Sequence, residues 1–384
     1  MRKHRPAAKD GKLRAIIWGF GSLGMLMVKA FAAGVTDIRI VGIVDHAPHL
    51  VGKRASDLSA EAKQLGLDIV VSPTLEACLA TLKEPADVVY HMTESVLEAI
   101  EGQLVAALDA GLDVISASEA MFYPALRYPA IASRLDAAAK RNGVALVGCG
   151  INPGFVFDAL VLTLARITTA ATKVDIKRCI DVTGTGAHDI DHVGYGLTPE
   201  DFRSKIASGR IVGHMGMPES IALVAERLGM GIERVEESWD IETADFPVDS
   251  GTDALGILPP GRVIGITQHG RAYEGDVERI HMRLAMYYQP AKFGLEESDD
   301  IVIEGAQRIH CALTPAAISL QGAALHIVNT THDVATAPPG LANVLDFAMG
   351  GRPRGLFSYV CDPANPPKPG KVWLAKTPLG KIAT

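Results

Sequence analysis

Hydrophobic positions in the first 150 residues fall into short runs that alternate with longer stretches rich in Ala and Leu. The short runs are rich in Val and Ile and almost continuously apolar, which is typical of strands buried on both faces of a sheet. These runs cover residues 13–18, 38–44, 68–71, 86–91, 113–117 and 144–147. The stretches between them predict helices, for example at residues 22–33, 94–110 and 127–141. Repeated units of strand and helix at this spacing predict a doubly wound parallel sheet.

After residue 150 the pattern changes to longer segments in which polar and apolar positions roughly alternate. Alternation of this kind predicts strands with one buried face, and therefore a mixed, mostly antiparallel sheet. The predicted strands cover residues 173–182, 233–243, 262–272, 278–287 and 299–304. Helices are predicted at residues 157–167, 199–208, 218–228 and 316–329, with a shorter one near 341–349. The fold class is therefore predicted as α/β, with a doubly wound parallel sheet first and a second α+β domain after it.

Composition disfavours several classes of function. The 384 residues carry a net charge of −7. The chain therefore lacks the surplus of basic residues that is typical of proteins that bind nucleic acid or an anionic membrane surface. No apolar run reaches the roughly 18 residues of a membrane span, and the basic start lacks the apolar stretch of a secretory signal. The five cysteines have no Cys-x-x-Cys spacing, which disfavours disulfides and a structural zinc site. We therefore expect a soluble cytoplasmic protein with reduced thiols and no metal.

A glycine-rich turn follows the first predicted strand directly and opens the first predicted helix. It reads Gly19-Phe20-Gly21-Ser22-Leu23-Gly24. The first glycine permits the tight turn, the second lets the backbone approach a pyrophosphate, and the third lets the helix pack on the strand. The helix N-terminus then presents free N–H groups to the phosphates. These six residues predict the dinucleotide site of a Rossmann domain.

Asp45 supplies the second element of this site. It closes the second strand, 21 residues after Gly24, where a carboxylate accepts hydrogen bonds from the adenosine ribose hydroxyls. The same charge repels the 2′-phosphate of NADP, so the sequence favours NAD as the cofactor. Lys53 and Arg54 keep NADP possible, since a basic side chain could fold back onto a phosphate.

Three further residues stand at the carboxyl ends of predicted strands, the edge at which ligands bind in such sheets. Thr93 follows the fourth strand and either lines the nicotinamide ribose or caps the strand. Glu119 follows the fifth strand, and its carboxylate either takes part in proton transfer or stabilises a helix N-terminus. Asn152 follows the sixth strand in a Gly- and Pro-rich turn, where it either binds a carboxamide or orients the turn.

Several motifs occur in the order and spacing of one known group of enzymes. Besides the glycine turn they are Ser118-Glu119-Ala120 with Tyr123-Pro124, Gly150-Ile151-Asn152-Pro153-Gly154-Phe155, Gly194-Tyr195-Gly196, Gly213-His214-Met215-Gly216 and Gly265-Ile266-Thr267-Gln268. Together they resemble the 2,4-diaminopentanoate dehydrogenase and native amine dehydrogenase group of the dihydrodipicolinate-reductase-like superfamily. The resemblance extends over most of residues 13–350.

This resemblance implies an NAD(P)-dependent amine dehydrogenase, which deaminates an amine oxidatively or aminates a ketone or aldehyde with ammonia. Its catalytic glutamate falls on Glu119, and its substrate pocket falls on Phe155, Arg178, Tyr195 and His214. From the residues alone, Arg178 fits a charge on a strand surface equally well, Tyr195 a core position and His214 a loop histidine. Ammonia-independent reduction of an imine or carbonyl is the alternative activity, and a non-catalytic NAD-binding protein is the further alternative.

The resemblance also implies how the chain is organised. We expect a disordered tail at residues 1–12, a dinucleotide-binding domain at 13–150, a substrate-binding and dimerisation domain at 151–315, and a C-terminal segment at 316–384 that returns to the first domain. The resemblance implies a homodimer formed through the sheet of the second domain. One further pattern looks like a metal site, but its spacing in a glycine-rich loop favours solvated side chains. It comprises His188, Asp189, Asp191 and His192.

Overall fold

The first sheet of the protein has six strands, all of them parallel. The computed structural model describes residues 10–184, 193–211 and 213–347. The strands are β1 (Leu13–Trp18), β2 (Ile38–Val44), β3 (Val88–His91), β4 (Asp113–Ser116), β5 (Ala145–Gly148) and β14 (Gly340–Asn343). Their order across the sheet is β14-β5-β4-β3-β1-β2. The strand order reverses between β1 and β3, and ligands of such sheets bind at the carboxyl ends of the strands beside this point.

The four inner strands of this sheet, β1, β3, β4 and β5, are buried on both faces, and successive residues face different hydrophobic cores. Ile17, Tyr90 and Ile115 belong to one core, whereas Ile16 and Val89 belong to the other. Burial on both faces explains why these strands are almost continuously apolar in sequence.

Helices cover both faces of the first sheet. On one face α1 (Ser22–Ala32) packs beside α11 (Ser319–Thr336), and on the other α5 (Leu97–Asp109) packs beside α7 (Pro129–Asn142). Shorter helices in the connections are α2 (Ala55–Leu58), α3 (Ala60–Gln64), α4 (Leu75–Thr81) and α6 (Pro124–Arg127). The chain after the second sheet thus contributes both a helix and an edge strand to the first sheet. No helix of the described ranges is long and apolar enough to cross a membrane.

The second sheet is mixed, as the alternating pattern predicts. Its strands are β6 (Lys173–Asp181), β7 (Arg234–Thr243), β10 (Val263–Glu274), β11 (Val277–Tyr287), β12 (Ser298–Glu304) and β13 (Ile309–Leu313). Their order is β13-β12-β6-β11-β10-β7, and only β6 and β11 pair in parallel. Helices α8 (Ala159–Ala165) and α10 (Met217–Leu228) pack against this sheet. The remaining elements are α9 (Pro199–Ala207) and a two-stranded sheet of β8 (Val248–Asp249) and β9 (Ile257–Leu258).

The prediction of a strand at residues 68–71 is wrong. This segment makes only isolated bridges, one between Arg54 and Val70 and one between Val44 and Ser72. Its backbone lies beside the end of β2, but the two bridges involve different partner segments, so no continuous ladder forms.

The prediction of a helix near residues 341–349 is also wrong within the described residues. Helix α11 ends at Thr336, since Ala337 is extended with ψ of 151° and Pro338 and Pro339 follow. Gly340 has φ of +134°, and the next three residues extend along β5. A turn of 3₁₀-helix, Val344–Asp346, follows this strand. Backbone pairing with an open edge of the sheet therefore decides the conformation of a segment whose local pattern favours a helix.

Candidate active site

The glycine turn after β1 has the geometry that a dinucleotide pyrophosphate requires. Gly19 has φ of +102°, and a Cβ placed on it would lie 2.2 Å from the carbonyl oxygen of Met92. A Cβ on Gly24 would lie 2.2 Å from the carbonyl oxygen of Gly19, so α1 packs directly on the turn. A Cβ on Gly21 would meet no atom within 4 Å. Gly21 is instead exposed at the N-terminus of α1, where no side chain caps the first N–H groups. The open backbone at Gly21 therefore fits close approach by a phosphate.

Asp45 ties this turn to the end of β2. Its Oδ2 accepts a hydrogen bond from the backbone N–H of Phe20 at 2.6 Å, and its Oδ1 accepts one from Ala47 at 2.8 Å. The side chain is about nine-tenths buried. The carboxylate is thus held rigidly beside the glycine turn, which is where an adenosine ribose lies in a Rossmann domain. Arg54, by contrast, forms an ion pair with Asp68 at the surface.

Thr93 lies at the carboxyl end of β3, beside the carbonyl group that Gly19 approaches. Its hydroxyl donates to Gln103 at 2.8 Å and lies 3.0 Å from Nε2 of His91. Burial lowers the pKa of His91 to about 4, so this ring is neutral near pH 7. The hydroxyl of Thr93 therefore belongs to a hydrogen-bonded network around a neutral His91 ring at the carboxyl end of β3.

Glu119 begins a turn of 3₁₀-helix, Glu119–Met121, directly after β4. Its side chain is 24% exposed, and its Oε1 lies 3.1 Å from Nε2 of His214. A cavity of about 120 Å³ opens at this point. Among the predicted site residues, it is lined by Leu23 of the glycine turn together with Glu119, Asn152 and His214. The carboxylate therefore shares one cleft with the cofactor turn.

Asn152 lies in the turn after β5, and a buried network beneath it fixes that turn. Asp158 accepts hydrogen bonds from the N–H groups of Gly154 at 3.0 Å and Ala159 at 2.6 Å, and from the hydroxyl of Ser220 at 2.7 Å. Burial raises the pKa of Asp158, and these three donors oppose that shift. The turn is thus anchored to both α8 and α10.

His326 of α11 supports the same turn from the other side. Its Nδ1 lies 2.8 Å from the carbonyl oxygen of Gly150. Burial disfavours the charged ring, but Cys149, the carbonyl of Gly150 and Asp158 together raise the pKa of His326 to about 9. A protonated His326 beneath the turn fits the hydrogen bond that its ring donates to Gly150.

His214 is positioned by the second sheet. Gln268, fully buried on β10, accepts a hydrogen bond from the backbone N–H of His214 at 2.7 Å and donates one to its carbonyl at 3.0 Å. The ring lies 2.8 Å from the Asn152 amide. No role was predicted for Gln268, although a polar residue between Ile266 and Gly270 on the inward side of the strand is a visible signal. Residues from both sheets therefore meet in this cleft.

Arg178 lies behind the cleft wall and not on its surface. The guanidinium is fully buried, and its Nη1 lies 2.5 Å from the carboxylate of Asp299. Its Nη2 donates to the carbonyl of Ala317 at 2.5 Å and to the hydroxyl of Ser319 at 3.0 Å. Burial lowers the pKa of Arg178, and Asp299 opposes that shift. In this structure Arg178 holds the start of α11 on the second sheet, and its guanidinium is not among the groups that line the cleft.

Tyr195 and Phe155 also pack into the second domain. Tyr195 is 3% exposed, its hydroxyl donates to the carbonyl of Met286 at 3.3 Å, and its ring lies 4.8 Å from that of Tyr288. Phe155 is partly buried, with its ring edge-on to His326 at 5.6 Å. Neither side chain is among the described residues that line the cleft around Glu119.

No described residues form a cluster of three or more potential metal ligands. The pattern of His188, Asp189, Asp191 and His192 lies outside the described residues.

The fold and site together define a two-domain dehydrogenase of the Rossmann class. A glycine turn, a carboxylate at the end of β2 and a second α+β domain that closes the cleft are its defining parts. Residues 155–360 match the sequence model of the 2,4-diaminopentanoate dehydrogenase C-terminal domain. Because this match spans more than half of the chain, the protein belongs to that family.

Individual relatives agree with this assignment. The chain is 26% identical to the 2,4-diaminopentanoate dehydrogenase of Acetoanaerobium sticklandii over 354 residues, which cover 90% of this chain and 95% of the relative. It is 25% identical to an amine dehydrogenase of Streptomyces virginiae over 371 residues, which cover 88% and 96%. A solved amine dehydrogenase from Mycobacterium smegmatis superposes with a TM-score of 0.72 at 22% identity and covers 89% of this chain and 97% of its own. This superposition confirms the predicted fold class.

Proposed function

We propose that this protein is an NAD(P)-dependent amine dehydrogenase, which deaminates an amine and, in reverse, aminates a ketone or aldehyde with ammonia. The observation that carries the proposal is the carboxylate of Glu119, which shares one cleft with the glycine turn and contacts His214. A carboxylate suits amine chemistry because it accepts protons from nitrogen and stabilises a positively charged iminium. The two relatives named as dehydrogenases of amines support the same chemistry.

The residues that would hold the cofactor are those of the glycine turn, together with Asp45 and Thr93. The open backbone at Gly21 accommodates the pyrophosphate, and Asp45 accepts hydrogen bonds from the ribose hydroxyls. Asn152 lies in the cleft that Leu23 and Glu119 also line, where its amide fits a carboxamide group. When bound, the nicotinamide would supply or remove the hydride by which the iminium and the amine differ.

Glu119 performs the proton chemistry of this reaction. In the direction of amine formation it takes a proton from ammonium, so that the nitrogen can add to the carbonyl carbon. Water then leaves the resulting carbinolamine and an iminium forms. The carboxylate of Glu119, at the edge of a cleft only partly open to water, stabilises that positive charge. In the direction of deamination the same carboxylate stabilises the iminium that water attacks.

Dependence on ammonia is the direct test of this activity. We expect NADH to be oxidised in the presence of short ketones or aldehydes only when ammonium is also present, because nitrogen must enter the substrate before reduction. The measurement is absorbance at 340 nm across a panel of carbonyl compounds, with sodium salts replacing ammonium as the control. Oxidation without ammonium would instead assign an imine or carbonyl reductase. Binding of NADH without turnover on any carbonyl or amine would assign a non-catalytic protein.

Asp45 is expected to select NADH over NADPH. The substitution Asp45→Asn removes the charge that repels a 2′-phosphate and keeps a side chain of the same size. We expect the ratio of kcat/KM for NADH to that for NADPH to fall at least about tenfold, which corresponds to ~1.4 kcal/mol. Asp109→Asn, at an exposed end of α5, is the matched control. An unchanged ratio in Asp45→Asn would show that other residues set the preference.

Two further parts of the proposal concern assembly and setting. The family resemblance supports a homodimer formed through the second sheet. Four of the five cysteines lie in the described ranges, and all four are free thiols, which supports a reducing cytoplasmic setting.

A further inference from the structure

One nitrogen of the His214 ring is committed to the protein backbone. Nδ1 lies 2.7 Å from the carbonyl oxygen of Met215. A carbonyl oxygen only accepts hydrogen bonds, so Nδ1 carries a proton. The state of the other nitrogen, Nε2, therefore decides whether the ring is neutral or positively charged.

Nε2 faces the carboxyl group of Glu119, with 3.1 Å between Nε2 and Oε1. An unprotonated Nε2 and an ionised carboxylate are both acceptors, and two acceptors at this distance repel each other. The contact is a hydrogen bond when exactly one proton lies between the two groups. That proton resides either on the carboxyl oxygen, as an acid, or on Nε2, as an imidazolium.

Asn152 accommodates both positions of this proton. Its amide lies 2.8 Å from Nε2. An unprotonated Nε2 has one lone pair, which accepts either from the amide N–H of Asn152 or from a protonated Glu119 carboxyl group. An imidazolium N–H is shared between the Glu119 carboxylate and the amide oxygen after the amide rotates. The neighbour of the pair is thus compatible with a proton that moves between the two groups.

We propose that Glu119 and His214 hold one proton jointly, and that His214 thereby sets the pH at which Glu119 can protonate a leaving hydroxyl group. This inference rests on the proposed reductive amination. The shared proton passes to the hydroxyl of the carbinolamine, the C–O bond breaks, and water leaves as the nitrogen lone pair forms the C=N bond. The carboxylate then faces the iminium, and the pair regains its proton from the ammonium ion of the next turnover. His214 acts through Glu119 and is therefore a positioning residue.

Other titratable and charged groups surround this pair from several elements. Cys149 lines the same cleft at the end of β5, and His326 lies beneath the turn that follows it. Glu237 of β7 accepts a hydrogen bond from Gln268 behind the His214 backbone, and burial raises the pKa of Glu237. The ion pair of Arg127 with Glu219 of α10 lies close to Glu237 and acts on its carboxyl group. These groups are unchanged in the His214 variants compared below, so their contribution cancels there. The Gln268 variant also loses the hydrogen bond to Glu237, so its profile includes any effect of that loss.

The test is the pH dependence of kcat/KM for reductive amination in His214→Asn, which cannot hold a proton. An isolated carboxyl group loses its proton about two pH units below an isolated imidazole. We therefore expect the alkaline limb of the profile to move to lower pH by at least about one unit. We also expect kcat to fall by about 10- to 100-fold, with NADH affinity unchanged within about twofold. His214→Gln is a second variant that serves if the first does not fold.

Gln268→Met is the matched control for a purely structural role. It removes both side-chain hydrogen bonds to the His214 backbone but keeps the imidazole ring and Glu119. We expect its rate to fall without a shift of the alkaline limb. An unshifted limb in the two His214 variants would overturn the proposal, and so would an equal shift in Gln268→Met.

Failure of this inference is distinguishable from failure of the proposed function. If Glu119→Gln keeps ammonia-dependent turnover, the proposed role of Glu119 itself fails. If Glu119→Gln is inactive while the limb of His214→Asn stays in place, the function stands and the shared proton is rejected.

Discussion

Replacement of Glu119 by glutamine is expected to lower kcat by about a thousandfold in both directions of the reaction. The amide keeps the size of the side chain but neither accepts a proton nor carries a negative charge. General acid–base catalysis contributes about 10²- to 10⁴-fold to rate enhancement, and loss of the charge facing the iminium adds to this. Initial rates under saturating ammonium and carbonyl, or saturating amine, measure the effect.

Cofactor binding should be preserved in this variant. Glu119 lies beside the glycine turn without forming it, so fluorescence titration with NADH should give a dissociation constant within about twofold of that of the unchanged protein. Glu226→Gln is the matched control, because Glu226 is exposed and its carboxylate accepts a hydrogen bond from the Tyr123 hydroxyl outside the cleft. A Glu119→Gln protein with full turnover would remove the basis of the proposed mechanism.

Gly21→Ala is expected to weaken NADH binding at least tenfold with a much smaller effect on stability. The backbone at Gly21 has φ of −79° and ψ of −152°, just outside the β region that L-residues prefer, but an added Cβ meets no protein atom within 4 Å. The new methyl group therefore occupies the space through which a pyrophosphate approaches the helix N-terminus. We expect the free energy of unfolding to fall by about 1 kcal/mol. Denaturant unfolding and NADH titration measure the two quantities separately.

Two other glycines calibrate this result. Gly19→Ala should lower both stability and binding, because its φ is positive and its Cβ would clash with Met92. Gly102→Ala, at an exposed position inside α5, should affect neither NADH binding nor turnover and should stabilise the protein by about 0.5 to 1 kcal/mol. Tight NADH binding in Gly21→Ala would place the phosphates elsewhere.

Sequence reasoning succeeded where a local pattern carries the information. The continuous apolar runs predict strands with two buried faces. The glycine turn predicts a tight turn, and the structure shows a positive φ at Gly19 and no room for a Cβ at Gly19 or Gly24. Glu119 and Asn152 follow successive strands of a parallel sheet, so their meeting at one edge is predictable. His214 entered only through the family resemblance, because the contact that brings it to Glu119 depends on packing between two sheets.

The remaining differences arise from contacts between distant parts of the chain. Strand β14 is only four residues long, and its pairing with β5 has no local signal. Arg178 shares the inward side of β6 with Val174 and Ile176, which indicates burial, but its partner Asp299 is 121 residues away. Asp299 in turn shares the inward side of β12 with Ile301 and Ile303. Strand alternation is consistent with the inward side of both residues, but the sequence left Arg178 equally well as a surface charge and could not show that the two charges meet.

The start of α11 shapes the cleft but contributes none of the groups proposed to transfer protons there. Ser319, Leu320 and Ala323 form one wall of the cleft, and none of them has an ionisable side chain. The groups that handle protons come from other elements, so a change of bulk on this helical wall leaves them in place. Substitutions at these positions of the helix are therefore expected to change the space for the substrate while Glu119 and His214 stay in place.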